Sequence, residues 1–403
     1  MGQRDWRVAV VGAGVGGLAL ALALRERGID AHLYERTGEL REVGAAVYLA
    51  ANATRLLTRL GLAEEFEAVS WHPTSLIHRD GRTGNVIGKH PGNLYDRSYG
   101  APGWGIHRAE LQRILSGAVG ADRIHLNKEL VDLTDYGNEV DLSFADGTHA
   151  TANLVIGADG ARSAVRTWLI GHDDKIYTGR SGFRGLVPLR ELPNLPDPGA
   201  LQFWIGPGGH LIHYPIGVKG DVINFLLVKQ LPWASDEWTV PAEPGEHLRY
   251  FEGWHPAVIE MISAPTFDLR WALNRRPPLR TWSKGRVALL GDAAHALVPH
   301  HGQGANITVE DAVVLARCLA EGDATEPAGA LQQYQDFRQL RTARVQKASY
   351  TTAEVLHLPD GPQADERNTN LASTAWMHGQ LDWIHSFDAD PLGPAGDLRP
   401  AAH

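Results

Sequence analysis

The sequence predicts an α/β fold in which a Rossmann-like dinucleotide-binding domain is interleaved with a β-sheet domain and followed by C-terminal helices. Three observations carry this reading. The apolar run WRVAVVG enters a glycine-rich turn, GAGVGG at residues 12–17, and leaves it into helix-forming residues. Two later apolar segments end similarly, with an acid beside glycine: IGADG at 156–160 and LLGDA at 289–293. From about Tyr177 to Leu273 the periodicity changes to strands separated by turn residues, as in ALQFWIGPGGHLIHYPI and DVINFLLVKQL.

Along the chain, WRVAVVG reads as a buried parallel strand, because an apolar run bounded by Gly has no polar face for solvent. VGGLALALALRERG reads as a helix closed by Gly28, and IDAHLYER as a second strand. The glycine turn therefore joins strand to helix in a βαβ unit. Gly12 permits the tight turn, Gly14 lets a pyrophosphate approach the backbone, Gly17 allows close helix–strand packing, and the helix N-terminus faces the phosphates. Glu35, 18 positions after Gly17 and followed by Arg36, ends the second strand where a carboxylate can accept hydrogen bonds from a ribose diol. Turn, helix, second strand and terminal acid together point to a dinucleotide, with NAD and FAD both open at this point.

NEVDLSFADGTHATA reads as a hairpin, and ANLVIGADGARSAVR as strand, turn and helix. Asp159 is then either a ligand-facing acid or a helix N-cap, and Ser163 and Arg166 follow at helical spacing. The third turn, GDAAHALVPHHGQGAN at 291–306, puts one Asp, three His and three Gly between an apolar strand and the helical ITVEDAVVLARCLAE. That is a poor recipe for a packed core and a good one for holding a polar ligand against exposed backbone.

With 403 residues, 43% hydrophobic and 21% charged, the composition is that of a globular protein of two or three domains. A formal net charge of −9, an isoelectric point near 6.1 and no long run of one sign argue against nucleic acid or an anionic membrane as partner. Residues 8–24 are apolar, but glycines at 12, 14, 16 and 17 interrupt them, unlike a spanning helix, and a signal peptide needs a cationic start and a small-residue cleavage site. A soluble cytoplasmic protein, monomer or homodimer, is expected. Cys318, the sole cysteine, excludes an internal disulfide framework and reads as a buried, inert thiol. The Pro/Gly-rich tail from about Asp388 is expected to fray.

Residues 12–17, IGADGARSAVR and LLGDAAHALVPHHGQGAN, in that order, resemble the class A flavoprotein aromatic hydroxylases, the family of para-hydroxybenzoate hydroxylase. Within it the chain is similar to the branch of salicylate, 3-hydroxybenzoate and 6-hydroxynicotinate hydroxylases, from about Arg7 to about Lys347. The resemblance implies a GR2-type FAD-binding domain from residues 1–70, 96–176 and 274–355, a substrate-binding sheet domain from 71–95 and 177–273, and a C-terminal helical segment and tail from 356–403. It implies non-covalent FAD, with NADH or NADPH as reductant and O2 as co-substrate. Glu35 would hold the adenosine ribose. Arg108, in GIHRAELQ, would contact FAD, its alternative being a surface helix charge. Asp159 would serve FAD and the approach of the nicotinamide, and Asp292 the ribityl or pyrophosphate region. Pro299, Gly302, Gly304, Ala305 and Asn306 would lie against the flavin ring, their backbone N–H groups stabilising negative charge on the reduced ring. His295 would pack structurally, with His300 and His301 near the ring edge and His300 within reach of substrate. No ligand pattern for a metal accompanies these histidines. The segment 44–53, GAAVYLAANA, departs from the family: Ala46 and Ala51 stand where Gly and Pro are frequent, and Tyr48 is bulky beside flavin and substrate. The resemblance by itself therefore does not name the substrate.

In GGHLIHYP, strand alternation puts His210, Ile212 and Tyr214 on one face and His213 on the other. The first face matches substrate-contacting His and Tyr in the 3-hydroxybenzoate branch; the alternative for His210 is a satisfied surface or core histidine. Under the resemblance, His210 and Tyr214 are the catalytic candidates. A His poised near neutral pH would take the phenolic proton, because a phenolate attacks a flavin C4a-hydroperoxide more readily than a phenol. Arg180, Arg184 and Arg190 are carboxylate-clamp candidates by region. The reading is an FAD-dependent monooxygenase that hydroxylates a small hydroxylated aromatic or heteroaromatic compound. The alternatives are a flavin oxidase or dehydrogenase of the same fold without oxygen insertion, and a non-enzymatic dinucleotide-binding protein. A flavin halogenase is set aside because the chain has no GxWxWxIP signature.

Overall fold

All three acid- or glycine-bearing turns leave the same end of one sheet. In the computed structural model, which describes residues 6–40, 46–92 and 98–391, that sheet has the order Ser283–Lys284, Val287–Leu289, Leu154–Gly157, Val8–Val11, Ala31–Tyr34, Ile124–His125. The strands from Val287–Leu289 through Ile124–His125 run parallel, with Val11 beside Gly157 and Gly157 beside Leu289. Val8–Val11 and Leu154–Gly157 are buried along their whole length, as apolar runs covered on both faces must be. Three adjacent parallel strands ending together form the crevice in which such sheets bind ligands.

The first helix, Val15–Arg25, buries every residue from Gly16 to Leu24. A Cβ on Gly17 would lie 2.0 Å from the Gly12 carbonyl oxygen, and one on Gly16 would lie 2.5 Å from Thr308 Cγ2 and 2.7 Å from the Leu290 side chain. Gly17 thus has the packing role read from the sequence. Gly16, given no role there, lets the helix Gly304–Glu321 sit against the first helix.

A second sheet has eight strands in the order Thr239–Pro241, Leu269–Arg275, Ile176–Pro188, Val222–Gln230, Gly209–Ile216, Leu201–Gly206, Ser75–Asp80, Val86–Pro91. Its back face, with Leu211, Phe225 and Leu227, packs on Val258 and Met261 of the helix Pro256–Ser263. Its front face, with Tyr214, Ile216 and Leu201, packs on Leu356, Leu371 and Met377 near the C-terminus and on Tyr48. Tyr48 arrives on a two-stranded ribbon, Ala46–Leu49 with Trp104–His107.

The helix Gly304–Glu321 is held by a buried ionic cluster. Arg338, from the long helix Ala328–Leu356, donates to Asp311 Oδ1 at 2.7 Å and pairs with Glu310 Oε2 at 2.7 Å, all three side chains having 0% exposure. Arg341 grips Glu310 with two hydrogen bonds of 2.7 Å, and Asn52 Nδ2 donates to Glu310 Oε1 at 2.6 Å. Asp311 Oδ2 accepts from the Gly291 N–H at 3.2 Å and pairs with His295 Nε2 at 2.5 Å. His295 is therefore structural, as expected. Cys318, on the same helix, is fully buried and its thiol is pushed up to about 12 by burial.

The tail departs from expectation at its start. Residues 388–390 are not frayed: Asp388 pairs with both Arg59 nitrogens at 2.7 and 2.6 Å, the buried Asp390 pairs with Arg27 at 2.8 Å, and Arg317 donates to the Ala389 carbonyl at 3.0 Å. A Pro/Gly-rich composition says nothing about three arginines from other elements that need acceptors. The remainder, from 392, lies outside the described residues, as do Gly44 and Ala45 of the divergent segment.

Removing Arg338 leaves two carboxylates in a dry site. Arg338→Met is expected to cost about 3–5 kcal/mol, the usual result of breaking a buried pair, read as a shift in the urea midpoint at fixed FAD concentration. A change under about 1 kcal/mol would refute the role given to Arg338. Burial opposes ionisation of Glu310 and Asp311, but Arg341 and Arg338 for the first, and His295 and Arg338 for the second, hold both below the usual carboxylate range. Their stabilisation is thus present above the unfolded-chain carboxylate pKa and lost as pH falls through the lower folded-state value. The variant and the parent should converge in stability at acid pH.

Candidate active site

The glycine turn and the IGADG turn touch. Gly12 has φ +102°, and a Cβ there would lie 2.6 Å from the Ala158 carbonyl oxygen, so the position requires glycine both for its conformation and for its space. Gly14 is the N-cap of the first helix in extended conformation. Glu35 ends its strand beside this turn: Oε2 accepts from the Ala13 N–H at 2.9 Å and Oε1 from the Thr37 N–H and hydroxyl, both at 3.0 Å. Oε2, with a single donor, keeps a lone pair to offer a diol. Arg36 is exposed next to it.

Asp159 takes the bland alternative. Oδ1 accepts from Ser163 Oγ at 2.5 Å, and Oδ2 from the Ala164 and Val165 N–H groups at 2.7 and 3.2 Å. The carboxylate caps the helix Ala164–Ile170 and holds the turn. The motif's arginine acts beyond its own helix. Arg166, buried, donates to the Ala293 and Ala294 carbonyls at 2.9 and 3.1 Å and pairs bidentately with Asp173 at 3.0 and 2.6 Å. The second turn thereby carries the third.

In the third turn, Gly291 has φ +63° and Asp292 opens the short helix Asp292–His295. The Asp292 carboxylate makes no hydrogen bond with the described residues. It is solvent-accessible yet surrounded by protein, as a side chain lining a deep cleft is; burial raises its pKa against the pull of His295 and Arg108. Arg108 itself opens the helix Arg108–Val119 and acts electrostatically on Asp292, Arg184 and Tyr214. Pro299 begins the single turn Pro299–His301, and Gly302 follows at φ +62°. A Cβ on Gly302 or Gly304 would meet nothing within 4 Å, so this turn fronts open space. The N–H groups of Gly304, Ala305 and Asn306 are the first of their helix and have no intrahelical acceptor.

Asn306 braces the turn from within. Its side chain is fully buried: Oδ1 accepts from the Ala50 N–H at 2.7 Å, and Nδ2 donates to the Tyr48 and Gly302 carbonyls at 3.0 and 2.7 Å. It can meet a ligand only through its backbone. Its side chain instead locks the Tyr48 ribbon to the turn.

The sheet supplies the opposite wall. His210 packs edge-on to His300 with ring centroids 5.3 Å apart, and Tyr214 meets Tyr48 at 6.1 Å. His213 lies on the other face, fully buried, with neither ring nitrogen hydrogen-bonded among the described residues. Strand register was thus legible. The expected poise near neutral pH was not: burial, reinforced by Arg180, holds His210 down to about 3. Burial raises the Tyr214 phenol, and His300 is held well below the ordinary imidazole value. Of the three clamp candidates, Arg184 faces Arg108 and Tyr214 in the cleft and stands over Trp271 at 5.3 Å; burial and Arg108 hold it down to about 10. Arg190 is exposed beside Glu191, and Arg180 turns to the buried His357.

Sequence reasoning missed Arg338, Arg341, Asn52 and His357. The two acids of ITVEDAVVL, in an otherwise apolar helix, were a signal that cations must approach; nothing marked which arginines, and His357 has no local signal. The cleft fits an FAD on this structure's own terms: a glycine turn with no room for a Cβ at Gly12, Gly16 or Gly17, a helix N-terminus, the Glu35 carboxylate beside it, an Asp292 carboxylate without a hydrogen bond among the described residues, and an open turn of backbone donors.

The sequence profile of the FAD binding domain family matches residues 5–349. The 3-amino-4-hydroxybenzoate 2-monooxygenase of Streptomyces cremeus is 37% identical over 401 residues, covering 98% of this chain and 100% of that protein. The 3-hydroxybenzoate 6-hydroxylase 1 of Aquipseudomonas alcaligenes is 34% identical, covering 93% and 97%. Among solved structures, Klebsiella pneumoniae HpxO complexed with FAD and uric acid has a TM-score of 0.85 at 28% identity, covering 98% and 99%, and a salicylate hydroxylase substrate complex has 0.81 at 30%, covering 96% of each chain. Near-full-length likeness to hydroxylases of small aromatic rings, joined to a cleft that fits FAD, makes this chain a member of the FAD-dependent aromatic hydroxylases, the class A flavoprotein monooxygenases.

Proposed function

We propose that the enzyme uses NADH or NADPH and O2 to hydroxylate a small aromatic acid bearing a phenolic hydroxyl. The observation that carries this is one sheet face, with His210, Tyr214 and Arg184, set opposite the turn of Pro299 and His300 and flanked by Tyr48. FAD, when bound, accepts electrons from the nicotinamide and activates O2 for transfer of one oxygen atom to the ring. The chain's part is to bind and orient. Arg184 supplies a fixed cation for a carboxylate, and a partly desolvated guanidinium gains more from such a partner than an exposed one. His210 and Tyr214 address the phenolic oxygen. Apolar neighbours such as Ile212 and Phe203 keep water from the ring, as a reactive oxygen donor requires. The relatives named for 3-amino-4-hydroxybenzoate and 3-hydroxybenzoate support a hydroxybenzoate-type substrate.

The test is a screen of hydroxylated and aminohydroxylated benzoates, and hydroxypyridine carboxylates, for stimulated NAD(P)H oxidation, with peroxide and product mass measured. A product heavier by one oxygen is expected. Substrate-independent peroxide formation alone would replace this reading with an oxidase.

Asp292→Ala is expected to raise the FAD dissociation constant roughly tenfold to a hundredfold, since a charge-assisted hydrogen bond contributes about 1.5–3 kcal/mol. Fluorescence titration of apoprotein measures this, and an unchanged constant would remove Asp292 from the site. His210→Ala should keep flavin reduction while hydroxylation falls about a hundredfold or more, the missing turnovers appearing as hydrogen peroxide. His213→Ala, altering the opposite face, should stay coupled; the reverse pattern would mean that His213 serves the substrate.

A further inference from the structure

Behind His210 runs a chain of hydrogen bonds with a direction. Arg180 Nε donates to His357 Nδ1 at 3.2 Å, and His357 Nε2 lies 2.7 Å from His210 Nδ1. His357, at the end of the long helix, is buried like His210. A guanidinium can only donate. His357 Nδ1 therefore carries no proton, and the single proton of this neutral ring sits on Nε2. That nitrogen must donate to His210 Nδ1, which is then an acceptor. The one proton of neutral His210 is left on Nε2. This atom has no protein hydrogen bond among the described residues, on a ring packed against His300 at the cleft.

Both rings stay neutral. Burial lowers His210 and His357, and Arg180, His300 and Lys229 add to the pressure on His357. A protonated His357 would also direct an N–H at the N–H of Arg180. The orientation is thus set by a residue that cannot be deprotonated, two links from the cleft.

We propose that Arg180 and His357 are positioning residues that lock His210 as the Nε2–H tautomer, so that His210 donates a hydrogen bond to a phenolate oxygen of the substrate instead of accepting the phenolic proton. This rests on the hydroxylase reading and deepens it: the site selects the ionised ring, whose proton stays in solution, and the donor holds the charge that makes the ring nucleophilic. An Nε2 already carrying hydrogen has no lone pair for a proton.

The test begins without substrate. In FAD-loaded enzyme labelled with 15N in its histidine rings, long-range proton–nitrogen spectra at neutral pH should show His210, identified by loss of its signals in His210→Gln, with hydrogen on Nε2 only. The opposite tautomer or an imidazolium would overturn the proposal. His357→Leu, which breaks the chain, should give His210 mixed tautomers and raise KM for the phenolic substrate about tenfold or more while flavin reduction persists. His357→Gln can accept from Arg180 and donate to His210, so it should restore one tautomer and most of the affinity. Equal damage in both variants would mean that His357 only fills space, and would refute its positioning role. If no phenolic compound stimulates even the parent enzyme, the hydroxylase reading fails, while the substrate-free spectra still decide the tautomer.

Discussion

Two carboxylates on adjacent residues of one helix, Glu310 and Asp311, are fully buried, and their need for partners organises what surrounds them. Asp311 faces Arg338, His295 and the Gly291 N–H, fixing the entry to the Asp292 turn. Glu310 faces Arg338, Arg341 and Asn52, fixing the helix that follows the Tyr48 ribbon. An apolar core of equal volume could be as stable. It would not dictate which residue meets which turn. Here a shift of the helix Gly304–Glu321 by one residue would strand a buried charge, and the amide groups at its start would no longer face the cleft.

The three turns are coupled in series. Gly12 rests on Ala158, Asp159 caps the helix that carries Arg166, and Arg166 holds the carbonyls of Ala293 and Ala294. Residues that look like ligands in a motif are in part braces for the true ligand-facing groups. Asp292 is the member whose carboxylate has no hydrogen bond among the described residues, and Asn306 is a brace whose backbone alone can face a flavin.

Much of this was legible locally. A glycine turn between apolar strand and helix obeys short-range rules, and so does the alternation of His210, Ile212 and Tyr214; both stand in the structure as read. What resisted was every property set by distant chain. Asp159 could have been cap or ligand, and the spacing to Ser163 could not say which. The titration of His210 depends on Arg180 and on burial beneath elements far away in sequence. His357 is separated from His210 by 147 positions, and residues 388–390 owe their order to Arg27, Arg59 and Arg317. Composition describes a segment's own preferences, not the unsatisfied groups waiting for it elsewhere.

The two faces of the eight-stranded sheet answer to different demands. Along Gly209–Ile216, even positions look toward His300, Tyr48 and the C-terminal helices, whereas Leu211 and its neighbours look toward a private core with the helix Pro256–Ser263. Adjacent residues on one strand are therefore under nearly independent selection. Positions 203, 212 and 214 can change while the reverse face keeps the sheet folded, and the glycine turns, built on another sheet, stay as they are. A scaffold divided in this way accepts new aromatic substrates one side chain at a time, without first having to rebuild its cofactor site.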